Sequence, residues 1–85
     1  MNILFEFKNH LFVWYCDVRK LRQEKGLTQK ELADQVGLSR QSINAIENDY
    51  FHPNEKTILK LNIVLGTFPY YSCCGWRWVS EFGGD

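Results

Sequence analysis

Four polar side chains crowd one short stretch: Arg40, Gln41, Ser42 and Asn44, within Leu38–Asn48. A guanidinium, two amides and a hydroxyl supply many hydrogen-bond donors and several acceptors, with no nucleophile–base pair among them. Such a set does recognition chemistry. Arg pairs bidentately with guanine and Gln with adenine, each good pair giving ~1–3 kcal/mol of discrimination. Ile43 and Ile46 stand three apart in the same run and define a face to be buried, which leaves the polar groups on the other. Ser39 is a good N-cap for the first turn. The stretch therefore reads as a short amphipathic helix over about 40–48, and DNA base edges are its candidate target.

A helix this short needs neighbours to hold it. Asp17–Lys25 has Val18 and Leu21 on one face, and Gly26 is placed to close it as a left-handed C-cap. Thr28 followed by Glu31 is a capping box that opens a second helix, with Leu32, Ala33 and Val36 as its buried face. Gly37 allows the positive φ of a tight turn, and Leu38 plugs it. Pro53 and Asn54 mark the start of a fourth helix with Ile58, Leu61 and Leu65 on one face, ended by Gly66. Two helices crossing steeply over a short turn need a small residue where they approach, and Ala33 supplies it. This is the helix-turn-helix pattern, whose second helix enters the major groove.

Residues 17–66, carried by VRKLRQEKGLTQKELADQVGLSRQSINAIEN and PNEKTILKLNIVLG, resemble the Cro/cI-type (xenobiotic-response-element type) helix-turn-helix family. The resemblance implies an all-α, compact domain of four to five helices, lambda-repressor-like, that binds double-stranded DNA as a transcriptional regulator, with a repressor expected. It implies a DNA-binding set of Gln29, Ser39, Arg40, Gln41, Ser42, Asn44 and Ala45. In that set Gln29 bonds a phosphate and braces the next helix, and Ala45 meets a thymine methyl. It further implies an ion pair between Arg22 and Glu47, and a homodimer on a pseudo-palindromic site. The chain departs from the family in several places. Asp49 and Tyr50 replace a usual Gly and Lys, which removes a phosphate-seeking charge. Asn62 stands where a small apolar residue is usual, and no fifth helix is recognisable after Gly66.

Outside 17–66 the composition changes. Every aromatic residue except Tyr50, Phe51 and Phe68 lies within 1–16 or 70–85. These arms are expected as aromatic extensions flanking the central domain. In the first, Ile3, Phe5 and Phe7 alternate weakly like a strand. Leu11, Tyr15 and Val18 have helical spacing, which favours a first helix running from near His10 to Lys25. In the second, Thr67–Tyr71 should be extended because Pro69 biases Phe68 away from helix, and Trp76, Trp78, Val79 and Phe82 fit a strand or a short turn. Three roles stay open for the arms: packing on each other and on the fourth helix, a dimer or protein-partner surface, or disorder.

The bulk properties set limits. Eighty-five residues make one small domain. The formal net charge is zero, so DNA attraction has to come from local charge and helix N-termini rather than a global field. Cys16, Cys73 and Cys74 lack CxxC spacing and form no metal set with His10 or His52, so free thiols, no metal, no cofactor and a cytoplasmic setting are expected. No signal peptide is visible, and the apolar start is too short to cross a bilayer. No triad, carboxylate pair or Gly-rich phosphate loop argues for an enzyme. An antitoxin-like or accessory interaction module, using the aromatic arms, is the alternative reading.

Overall fold

The computed structural model describes residues 4–7 and 10–80. In chain order the elements are β1 (Leu4–Phe7), β2 (His10–Cys16), α1 (Val18–Glu24), α2 (Gln29–Val36), α3 (Arg40–Glu47), α4 (Glu55–Leu65) and β3 (Cys74–Ser80). Four helices and a three-stranded antiparallel sheet in the order β1-β2-β3 replace the expected all-α fold, and no fifth helix occurs among the described residues. Phe82 lies outside the described residues.

The helices form where their local signals stand. Thr28 Oγ1 accepts from the Glu31 N–H at 3.0 Å while the Glu31 carboxylate accepts from the Thr28 N–H at 2.8 Å, completing the capping box. Asn54, just after the buried Pro53, caps α4 by accepting from the Thr57 N–H at 2.9 Å. Gly37 takes φ 76° at the turn between α2 and α3. Val18, Leu32, Ala33, Ile43, Ile46 and Leu61 are enclosed in a single cluster. Each of the larger ones contributes ~1.5–3 kcal/mol by leaving water.

The segment before Val18 is the first correction. Residues 10–16 form strand β2, and the first helix does not extend back to His10. The helical spacing of Leu11, Tyr15 and Val18 competes there with a continuous run of β-formers, Phe12-Val13-Trp14-Tyr15. The run wins because a partner exists. β3 pairs with β2 from His10↔Ser80 to Cys16↔Cys74. The two arms are thus each other's backbone partners, although more than fifty residues separate them in the chain. A second correction concerns Thr67–Tyr71, which turns instead of running extended: the Tyr70 and Tyr71 N–H groups both donate to Thr67 O, at 2.8 and 3.1 Å. The Phe68–Pro69 peptide within this turn is cis.

Two junctions tie the sheet to the helices. In the first, Trp14, only 3 % exposed, stacks on His52 of the α3–α4 loop at 4.1 Å, with Trp76 edge-on to both. In the second, Asn62 on α4 is buried and its Oδ1 accepts from the Cys73 N–H at 2.7 Å and from Thr67 Oγ1 at 3.1 Å. One of the residues that depart from the resembled pattern is therefore the receptor for the C-terminal arm. Asp17 adds a third backbone tie, its N–H donating to Cys73 O at 2.7 Å where β2 passes into α1.

Replacing Asn62 with leucine keeps the branched shape, at a somewhat larger volume, and strands the Cys73 N–H in the interior. Urea unfolding of Asn62→Leu should give a stability loss of roughly 1–3 kcal/mol. Hydrogen exchange should show the fastest loss of protection in β3 rather than in α2 or α3.

Candidate nucleic-acid interface

The candidate site is the α2–turn–α3 unit, and its geometry follows from how α3 is held. Ser39 caps α3, its Oγ accepting from the Ser42 N–H at 3.1 Å and lying 2.9 Å from Ser42 Oγ. Behind the helix, Ile43 and Ile46 are both 0 % exposed. In front, Arg40 and Gln41 are exposed, and their side chains make no hydrogen bond among the described residues. Asn44 is exposed one turn later, Ser42 and Ala45 are half-buried between, and no acidic residue occupies the first turn. The free N–H groups and positive dipole end at the start of α3 therefore share their surroundings with a guanidinium.

The far end of α3 is anchored by charge. The Glu47 side chain is fully enclosed, with 0 % exposure. Arg22 Nε donates to its Oε2 at 2.7 Å and Arg22 Nη2 to its Oε1 at 3.2 Å, a forked pair between α1 and α3. Arg22 also donates to Leu27 O at 2.8 Å, which ties in the α1–α2 loop. Gln29 Nε2, from the first residue of α2, donates to Glu47 Oε1 at 3.1 Å. One carboxylate thus gathers α1, α2 and α3. Burial by itself would raise the Glu47 pKa, but the hydrogen bonds from Arg22 and Gln29, the Arg22 charge and the Arg19 contact outweigh it and hold the pKa below the usual range.

Sequence reasoning missed two members of this network. Arg19 Nε lies 3.4 Å from Glu47 Oε1, and Arg19 Nη2 donates to Asn48 Oδ1 at 2.9 Å. Asn48 Nδ2 in turn donates to Asn44 O at 2.8 Å and to Asn44 Oδ1 at 3.1 Å. A signal for Arg19 was present, since it sits three residues before Arg22 on the same helix face. Asn48 had no such signal. Gln29 Nε2 also reaches Asn44 Oδ1, at 3.3 Å, so Gln29 and Asn44 meet across the two helices.

A braced helix presented over a glycine turn, with unpaired polar groups on its outer first turn, defines a helix-turn-helix domain. A helix-turn-helix family model matches residues 18–69, and the chain belongs to that Cro/cI-type family. Among similar curated proteins is an uncharacterized HTH-type transcriptional regulator of Methanothermobacter thermautotrophicus, 49% identical over 37 residues that make 44% of this chain and 54% of that protein. A putative multi-protein-binding factor 1 of Yarrowia lipolytica is 45% identical over 47 residues, 55% of this chain and 31% of that protein. The HTH-type transcriptional regulator ImmR of Bacillus subtilis is 36% identical over 45 residues, 53% of this chain and 35% of that protein. The chain thus spans about half or less of the length of each of these relatives.

The folded protein binds the Glu47 proton more weakly than the unfolded chain does. Its contribution is therefore complete above the ordinary glutamate value of about 4.3 and is lost as pH falls through and below it. Denaturant unfolding from neutral pH to about pH 3 should show this loss. Glu47→Gln should be less stable by about 3 kcal/mol at neutral pH, because Arg22 is left without its counter-ion, and should flatten the acid limb.

Proposed function

We propose that the protein binds duplex DNA sequence-specifically and regulates transcription, as a repressor, by setting α3 in the major groove. The observation that carries this reading is the pairing of a rigid mount with an unspent recognition face. Glu47 and the isoleucines hold α3 from behind, while Arg40 and Gln41 keep their hydrogen-bonding groups free. Arg40, Gln41, Ser42 and Asn44 face the DNA, with Ala45 against a thymine methyl. Ser39 and Gln29 lie at the two helix starts, where backbone N–H groups can meet phosphates. Two of the relatives are named transcriptional regulators, which agrees with this role. A single module of this size reads few base pairs, so a homodimer on a pseudo-palindrome, acting in the cytoplasm, completes the proposal.

A second reading is a protein-interaction module. Tyr50 and Tyr70 are 82 % and 86 % exposed, the net charge is zero, and one relative is named a multi-protein-binding factor. The two readings part in a gel-shift titration of the full chain against a randomised duplex pool at two salt concentrations. DNA binding predicts enrichment of a defined sequence, with affinity falling as salt rises. Gln41→Ala should weaken binding to the enriched duplex by ~1–3 kcal/mol and relax the preference at one position, with its thermal melt unchanged. Failure to enrich any sequence, with Gln41→Ala inert, favours the interaction module.

A further inference from the structure

Asn44 is constrained from two directions by ions of opposite sign. The Glu47 carboxylate can only accept, so Gln29 must turn its Nε2 towards it, and the second Nε2 hydrogen then falls on Asn44 Oδ1 at 3.3 Å. The Arg19 guanidinium can only donate, so Asn48 must turn its Oδ1 towards Arg19 Nη2 at 2.9 Å. Asn48 Nδ2 then supplies one hydrogen to Asn44 O and the other to Asn44 Oδ1. Both fixed amides thus aim a hydrogen at the same oxygen, and Asn44 Oδ1 is filled to its two-lone-pair capacity. Asn44 is exposed, and its Nδ2 makes no hydrogen bond among the described residues.

We infer that Asn44 is a specificity-determining residue that offers DNA donors only. It selects an acceptor alone, a purine N7 or guanine O6 in the groove or a phosphate oxygen on the backbone, and cannot grip both groups of the adenine edge as a free asparagine can. The inference rests on the DNA-binding reading above. Gln29, Asn48 and Arg19 are positioning residues in it. Gln29 has spent both amide hydrogens inside the protein, so its own hold on a phosphate falls to its peptide N–H at the start of α2.

The test uses the full chain on the duplex it enriches. Wild type and Asn44→Ala are titrated against copies altered at single positions. Deaza-purines remove N7, 2-aminopurine removes guanine O6, methylphosphonates remove a phosphate charge, and unsubstituted purine removes the adenine amino group. On the unaltered duplex Asn44→Ala should bind roughly 5- to 20-fold more weakly. That difference should vanish at one position lacking N7 or O6 if the acceptor is a base, or at one methylphosphonate if it is a phosphate. It should persist wherever an adenine has lost its amino group. Equal binding by Asn44→Ala overturns the inference, as does a difference that vanishes with an adenine amino group. Side-chain amide exchange in the free protein is a second readout. Gln29 and Asn48 hydrogens should be protected and those of Asn44 should exchange freely until DNA is added; protected Asn44 hydrogens in the free protein overturn it. Failure to enrich any duplex overturns the DNA reading as well, and is recognisable because the free-protein exchange pattern stands apart from it.

Discussion

The enclosed carboxylate of Glu47 is the constraint on which the rest of the candidate site depends. An ionised group removed from water is tolerable only when its oxygens are filled by donors. Those donors come from Arg22 on α1 and Gln29 on α2, with Arg19 at the rim. Satisfying one charge therefore sets the relative positions of three helices. A buried ion pair adds little net stability compared with an apolar substitute, so its value here is geometric: wrong packings leave the charge unpaired. The same network decides what faces outward. Once Gln29 and Asn48 are turned by their ionic neighbours, the polarity of the Asn44 amide follows.

Asn62 repeats the logic on the opposite side of the core. A lone amide inside α4 would be costly, yet it accepts from the Cys73 peptide and the Thr67 hydroxyl just where the chain leaves the helix for β3. β3 then meets β2, and Trp14 locks against His52 in the α3–α4 loop. The three cysteines lie at this seam as free thiols. Cys16 donates to Ile46 O at 3.5 Å, and its hydrogen bonding with Cys74 together with burial pushes its pKa well up, so it stays protonated and packs as a small apolar residue. No helix among the described residues is long and apolar enough to cross a membrane.

Charge sets how this unit would compete for DNA. With equal numbers of acidic and basic residues, the net charge supplies no long-range attraction. Arg22 and part of Arg19 are turned inward to Glu47, which leaves Arg40 as the cation on the outer first turn of α3. Asp49, in the loop after α3, takes φ 62° and would supply no positive charge to a phosphate nearby. Local hydrogen bonding has more to do here than counter-ion release. Such a balance favours discrimination between sequences over tight non-specific binding.

The central helices were legible because their signals are local. Caps at Thr28, Ser39 and Asn54, the turn at Gly37 and the three-to-four spacing of Leu32, Val36, Ile43 and Ile46 each act within a turn or two of chain. The site network was only half legible. Arg22 and Glu47 are suggested by family resemblance, but Arg19 and Asn48 join them only when α1 and α3 are packed. The stretch from His10 to Cys16 was misread because strand pairing is non-local, whereas the strand reading of the Trp76–Val79 segment held. Residues 10–16 carry both a helical spacing and a run of β-formers, and nothing nearby chooses between them. The choice is made by a strand more than fifty residues away and by Asn62, whose amide looks misplaced until Cys73 arrives beside it. The sequence by itself determined α3 and its cap; tertiary structure decided the sheet and which way the amides point, because both depend on partners the chain brings together only by folding.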